Sequence, residues 1–263
     1  MTEAQLEDVA IAAAHAGAAV VRRRFAERET LTVEVKASKD YVTEVDRESE
    51  AAIVAVLSAE TPGIPILAEE GSPAQGLAKS CWIVDPLDGT TNFIHGVPTF
   101  AVSVAVQDEA GLAAGAIVDP CRDELFATRR GGGARLNGER IAVSRPGTLQ
   151  TSLIATGFPF RELSRLPGYL KAFEAFCRST SGLRRAGAAS LDLAYTACGR
   201  YDGFFEVGLS PWDVAAGALL VLEAGGLVTD TAAGGAYLGS GSIVAAGPAV
   251  HAAMLEVTRS TLG

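Results

Sequence analysis

Apolar and polar positions run along this chain in two rhythms. From about residue 3 to 26 the apolar residues return at helical spacing, and Arg22, Arg23 and Arg24 close that segment where cations favour a helix dipole. Its apolar run Val9–Val21 is interrupted by His15 and is too short to span a bilayer. Val33–Lys36 reads as a strand, followed by a turn at Ala37-Ser38-Lys39. Residues 44–59 read as a second helix. Ile64–Ala68 and a run ending at Ile83-Val84 are short apolar segments of buried-strand type. Thr99–Gln107 and Ala114–Asp119 alternate as strands do. Leu125–Thr128 and Ile141–Val143 flank a glycine-rich stretch, inside which Leu136-Asn137-Gly138-Glu139 carries a hairpin signature.

After about Pro146 the rhythm changes. Strand-like runs at Ser152–Thr156, Gly203–Glu206, Leu227–Thr229 and Ile243–Ala245 alternate with helical patterns at Tyr169–Thr180, Ser190–Gly199 and Pro211–Ala224. The first half therefore reads as α+β with antiparallel pairs and the second as α/β. No repeat, low-complexity tract or flexible tether separates them. The expectation is one domain over 1–263 with packed sub-lobes of about 1–145 and 146–263.

Composition narrows the classes. The 263 residues are 48% hydrophobic and 20% charged, as in ordinary globular chains, and the net charge is −9 at pH 7. That balance carries no global basic footprint for nucleic acid or anionic membrane. Cys81, Cys121, Cys177 and Cys198 form no C-x-x-C pair and the three histidines are scattered, which disfavours zinc and suits free thiols in a reducing compartment. The first residues are acidic where a signal peptide is basic, so the expected location is cytoplasmic. An acidic chain repels a phosphorylated ligand unless bound divalent cations reverse the local field.

Candidate chemistry centres on Asp85-Pro86-Leu87-Asp88-Gly89-Thr90-Thr91-Asn92-Phe93. Two carboxylates three residues apart offer hard oxygens suited to Mg²⁺, and the Leu87 carbonyl can point between them. Gly89 to Thr91 open a helix whose free N–H groups suit an anion. The same residues also fit a strand end and an Asp-Gly turn, with Asp88 as a cap. Glu69-Glu70 lies at the edge of another strand, as a solvated acidic turn or as part of a site at a sheet edge. Thr43-x-x-Asp46 fits a capping box, and Ser210-Pro211-Trp212-Asp213 fits an N-cap with Asp213 at N3. Glu206 ends a strand shortly before it. Lys36, Arg184 and Arg185 are either phosphate neighbours or plain surface charges. Each feature has an ordinary structural explanation alone, but carboxylates recurring at strand and helix ends point jointly to metal-dependent phosphoryl transfer.

These residues resemble a known family. Asp85 to Phe93 resembles the first signature of the inositol monophosphatases, and Trp212-Asp213-Val214-Ala215-Ala216-Gly217 with Glu223-Ala224-Gly225-Gly226 resembles the second. Asp40-x-Val42-Thr43-x-x-Asp46, Glu69-Glu70 and Thr156-Gly157-Phe158-Pro159 are similar to family features in the family's order. The resemblance implies a layered α-β-α-β-α sandwich and a lithium-sensitive phosphatase, commonly a homodimer, using two to three Mg²⁺ ions. It implies that Glu69, Asp85 and the Leu87 carbonyl hold one ion, that Asp85, Asp88 and Asp213 hold a second, and that a weaker third sits near Glu69. It further implies that Thr90 and Asp46 help activate water and that the amides of Gly89, Thr90 and Thr91 bind phosphate. Gly187, Ala188 and Ala189 match a substrate-lining segment, and Glu206 matches a residue that bonds substrate hydroxyls.

Relatives acting on 3′-phosphoadenosine phosphate or histidinol phosphate more often carry lysine directly after the Gly-Thr, where this chain has Thr91. That favours a phosphorylated polyol such as inositol monophosphate. Fructose 1,6-bisphosphate, histidinol phosphate and nucleotide phosphates remain rival substrates in the same fold. A rival of another class is an accessory role in transcription antitermination through contact with RNA polymerase, which some bacterial relatives perform. A metal-binding regulator without turnover would leave Thr90 and the phosphate-binding amides unexplained.

Overall fold

The computed structural model describes residues 1–27, 33–37, 40–71, 77–145, 147–160 and 162–262. Helix α1 (Glu3–Ala26) starts at a capping box between Thr2 and Gln5 and ends near Arg23 and Arg24. Strands β1 (Val33–Ala37) and β2 (Asp40–Thr43) form an antiparallel ribbon leading into α2 (Glu44–Glu60). The side chains of Lys36 and Asp40, and residues 38 and 39 of the expected turn, lie outside the described residues.

A seven-stranded sheet follows, in the order β3 (Ile66–Ala68), β4 (Cys81–Asp88), β5 (Ala101–Asp108), β6 (Gly111–Asp119), β7 (Glu124–Arg129), β8 (Gly133–Leu136), β9 (Glu139–Arg140). The short helix α3 (Thr90–Ile94) follows β4 directly. Within this sheet, among the described residues, only β3 and β4 pair in parallel. The β8–β9 hairpin turns at Asn137 and Gly138, both at positive φ (49° and 86°), as that dipeptide predicts. Ile141–Val143, expected as a strand, pairs with no sheet.

The second sheet runs β11 (Gly182–Arg184), β10 (Leu153–Thr156), β12 (Gly203–Val207), β14 (Ser242–Ala246), β13 (Leu227–Thr229). It is mixed: β10 lies parallel to β11 and β12, while β14 runs antiparallel to both neighbours. Its helices are α4 (Leu166–Ser179), α5 (Ala189–Ala197), α6 (Pro211–Glu223), α7 (Tyr237–Ser240) and α8 (Pro248–Leu262).

These elements stack in five layers. Helices α1 and α2 cover one face of the seven-stranded sheet, α5 and α6 fill the space between the sheets, and α4 and α8 cover the far side of the second sheet. Strand alternation supplies both faces. In β4 and β5, Trp82, Val84, Val102, Val104 and Val106 point into the core under α1 and α2. Cys81, Ile83, Ala101 and Ala105 point into the central core with α5 and α6. Such two-sided burial explains why β4 reads as one continuous apolar run rather than as alternation.

The sequence led to an expectation that β4 would stop at Val84, yet it continues to Asp88. Asp85 pairs with Ser103 but Asp88 pairs with Ala101, so β4 carries one residue more than β5 across that interval. This is a bulge, and Pro86 sits within it, where a missing N–H is tolerated. In a regular strand, residues three apart face opposite sides. The extra residue brings Asp85 and Asp88 to the same side.

Candidate active site

The bulge of β4, the start of α3 and the start of α6 meet at a cleft that opens at the carboxyl ends of β3 and β4. Its walls include Glu69, Asp85, Leu87, Asp88, Gly89, Thr90, Thr91, Gly187, Ala189, Glu206 and Asp213. Ala188 stands behind this wall. It is 1% exposed, belongs to the central core and caps the start of α5. Asp46, 2% exposed, also lies behind the wall and reaches the cleft through Thr90.

Asp85, Asp88 and Asp213 each bring a carboxylate oxygen within 4.8 Å of the others, and all three are buried. Two repelling anions at that separation cost roughly 3 kcal/mol per pair at an effective dielectric constant of 20. Burial, reinforced by Glu69, Asp88 and Asp213, holds the Asp85 carboxyl well above the ordinary carboxylate range. Burial and the Asp213 charge push Asp88 up to about 7, against the opposing hydrogen bonds from Ser190. Three buried oxygen donors that cannot all ionise alone match what a hard divalent cation requires.

Local structure sets each ligand. Asp85 Oδ1 accepts from the Leu87 N–H at 3.0 Å inside the bulge. The Pro86 carbonyl accepts from the Ser49 hydroxyl of α2 at 2.8 Å. Asp88 Oδ2 accepts from the Ser190 N–H at 2.7 Å and hydroxyl at 2.5 Å, so α5 clamps it. Asp213 occupies N3 of α6, where Oδ2 accepts from the Ser210 N–H at 2.6 Å. Capping and cleft-lining are thus one arrangement, because the carboxylate that reaches back to the cap also lines the cleft. Glu69 follows β3, and its N–H donates to the Val84 carbonyl at 3.2 Å, which sets it beside Asp85.

Behind the triangle, Asp46 caps α2. Its Oδ2 accepts from the Thr43 N–H at 2.8 Å and hydroxyl at 2.7 Å, and its Oδ1 faces the Thr90 hydroxyl at 3.0 Å. Burial raises the Asp46 pKa, the Thr43 hydrogen bonds oppose that, and Glu70 adds to the rise. Thr90 Oγ1 also lies 3.0 Å from the Leu87 carbonyl. A hydroxyl has one proton, so it serves one of these acceptors at a time. Gly89 precedes α3 at φ 94°, and a Cβ there would press on Thr99 O, Phe100 and Gly187 O. The first N–H groups of α3 have no acceptor within the helix.

Glu206 ends the approach from β12. Its carboxylate lies against Gly157, where any Cβ would collide with it. Several residues at the cleft escaped the sequence reading. Ser190 carries no signal beyond its place after Ala188 and Ala189. The Asn92 amide donates to Thr99 O at 2.7 Å and Ala186 O at 2.9 Å, tying α3 to the segment before α5. Asp192 of α5 is buried with Oδ1 unpartnered, and burial holds it well above the ordinary range. No helix among the described residues is long and apolar enough to cross a membrane.

The model of the inositol monophosphatase family matches residues 2–262. A protein named Nus factor SuhB from Pseudomonas aeruginosa is 48% identical over 260 residues, covering 97% of this chain and 96% of that protein. An inositol-1-monophosphatase from Mesorhizobium japonicum is 42% identical over 263 residues, covering 100% and 99%. The crystal structure of the extragenic suppressor protein suhB from Bartonella henselae superposes with a TM-score of 0.90 at 40% identity, covering 97% of this chain and 98% of that one. The layered fold, the near-complete match and these relatives together make the chain a member of the inositol monophosphatase family.

Proposed function

We propose that this protein is a Mg²⁺-dependent phosphomonoesterase acting on inositol monophosphate or a similar polyol or sugar phosphate. The observation that carries this reading is the buried triangle of Asp85, Asp88 and Asp213 beside the Thr90–Asp46 pair. Asp85, Asp88 and Asp213 would hold one ion, and Glu69, Asp85 and the Leu87 carbonyl a second, with a third near Glu69. Bound there, Mg²⁺ would supply Lewis acidity, lowering the pKa of the attacking water and screening the phosphoryl oxygens.

The chain's own groups do the rest. Asp46 accepts the Thr90 proton, which leaves the lone pairs of Oγ1 to accept from the attacking water and aim it at phosphorus. The amides of Gly89, Thr90 and Thr91 bind phosphoryl oxygens as charge builds on them. Glu206 accepts from hydroxyls of the leaving alcohol. Water forms the new P–O bond, the ester P–O bond breaks, and a proton ends on the departing oxygen. The native enzyme would be a homodimer in the cytoplasm.

Phosphate release from inositol, sugar and nucleotide monophosphates, with Mg²⁺ and then with added Li⁺, tests the reading. Turnover of polyol esters with inhibition by Li⁺ is expected. No release from any ester with Mg²⁺ present would overturn it.

A second reading has its own observation, the 48% identity to a protein named as a Nus factor. Under it the chain contacts RNA polymerase as a transcription accessory protein. Co-purification with RNA polymerase that survives Asp85→Asn would favour that role, whereas its absence in the wild-type protein would remove it.

A further inference from the structure

The phosphomonoesterase reading leaves Arg185 without a task. Its guanidinium carbon lies 5.1 Å from the ring centroid of Phe158 and 5.1 Å from that of Phe160, and all three line the cleft. Among the described residues, no carboxylate lies within ion-pair distance of it and no group hydrogen-bonds it. Stacking on two rings covers the flat of the guanidinium and leaves its N–H edge open.

The position is built. Gly187 stands at φ 94°, and a Cβ there would lie 2.6 Å from Arg185 Nη1 and 3.1 Å from Asn92 Nδ2. Only glycine leaves room for the cation at that point. Asn92 holds the adjoining Ala186 carbonyl at 2.9 Å, so the segment carrying Arg185 is tied to α3. A cation fixed by an aromatic platform, a glycine clearance and an amide tether is pre-organised, in a cleft whose other charged lining residues, among those described, are acids.

The reacting phosphoryl group already has for partners the α3 amides and the cations that the aspartate triangle would hold. Hydroxyls of the leaving alcohol have Glu206. A donor-only fork with a free edge fits an oxyanion presenting two acceptors. We infer that Arg185 is a specificity-determining residue that binds a second phosphate carried by the leaving alcohol, so that the cleft prefers bisphosphorylated esters over their monophosphorylated counterparts. The inference rests on the phosphomonoesterase reading for which group reacts.

The test compares kcat/KM for glucose 1,6-bisphosphate and glucose 1-phosphate with Mg²⁺, in the wild-type protein, R185A and R185K. Wild type should prefer the bisphosphate. R185A should lose about tenfold to a hundredfold more on the bisphosphate than on the monophosphate, mainly through KM, as expected for one charge-assisted contact. R185K, which keeps the charge but not the fork, should recover part of that loss. Equal losses on both esters, or no wild-type preference, overturn the inference. So does a shift in sedimentation coefficient with equal losses, which would place Arg185 at an interface instead. If wild type hydrolyses neither these esters nor any other ester offered with Mg²⁺, the phosphatase reading fails separately. Calorimetric binding of the same two esters with Ca²⁺ then decides: a bisphosphate preference lost in R185A upholds the role of Arg185, and an unaltered preference ends it.

Discussion

The Thr90 hydroxyl of α3 lies 3.0 Å from the Asp46 carboxylate of α2, and the same Asp46 caps α2 through Thr43. A helix cap and a cleft hydroxyl therefore share one carboxylate. Thr90→Ala removes the group that orients water while leaving the cap intact. We expect kcat to fall by about 10²–10⁴-fold with a small change in KM, and Thr90→Ser to retain most activity. Steady-state kinetics of phosphate release decide this, and an alanine variant with near-normal kcat would exclude Thr90 from proton transfer.

Asp85→Asn should lower turnover by more than about a hundredfold, more than the loss of a single oxyanion donor. The fold should survive, because the Leu87 N–H keeps an acceptor in the amide oxygen. Phosphate release and far-UV circular dichroism measured together check both halves. A folded variant with unchanged Mg²⁺-dependent turnover would remove Asp85 from the ligand set.

Protonation gives a third test. The folded-state pKa of Asp88 stands at about 7, and Asp85 and Asp46 are also raised. An unfolded aspartate titrates near 3.9. Between these values the metal-free folded state binds more protons than the unfolded state. Its stability contribution is full below about pH 4 and is lost as pH rises through about 7. In EDTA the Tm should fall between about pH 5 and 7.5. Mg²⁺ needs the ionised carboxylates, so it should raise the Tm more at pH 7.5 than at pH 5. Scanning calorimetry reads both, and a Mg²⁺ shift larger at the acid end would contradict the assignment.

Packing far from the cleft should also register there. A Cβ on Gly17 of α1 would lie 2.8 Å from Ile53 Cδ1 and 2.8 Å from Ser49 Oγ, and Ser49 holds the Pro86 carbonyl inside the bulge. Gly17→Ala should cost about 1–3 kcal/mol through overpacking. It should also lower kcat by displacing the Ser49 hydroxyl. A variant with reduced Tm but unaltered kcat would show that this bond does not hold the bulge.

Much of the architecture was legible because local chemistry and tertiary packing agree. Helix α1 ends where its arginines close the apolar stripe. Asn137-Gly138 turns the β8–β9 hairpin. Thr43–Asp46 and Ser210–Asp213 cap the helices they precede. The candidate site was less legible, since its geometry depends on contacts between distant segments. Nothing near Asp88 announces that Ser190 will clamp it. The apolar run reads as ending at Val84, yet the bulge carries β4 on to Asp88. Strand β11 is three residues long, too short for a period to show. Asp192 looks like a polar position on α5, and only the layering of two sheets buries it.

The extra residue in β4 makes the site depend on the length of one short interval. Removing one residue between Asp85 and Asp88 would let the hydrogen-bond ladder with β5 run in step, and the strand would gain in regularity. Both carboxylates would still share a face, now two residues apart, but Pro86 or Leu87 and the bond it makes would be gone. One residue in this interval would make the better sheet, whereas the two present let the Leu87 N–H meet Asp85 and the Pro86 carbonyl meet Ser49. Single-residue deletions in such a segment can therefore separate the fold from its chemistry more cleanly than any substitution.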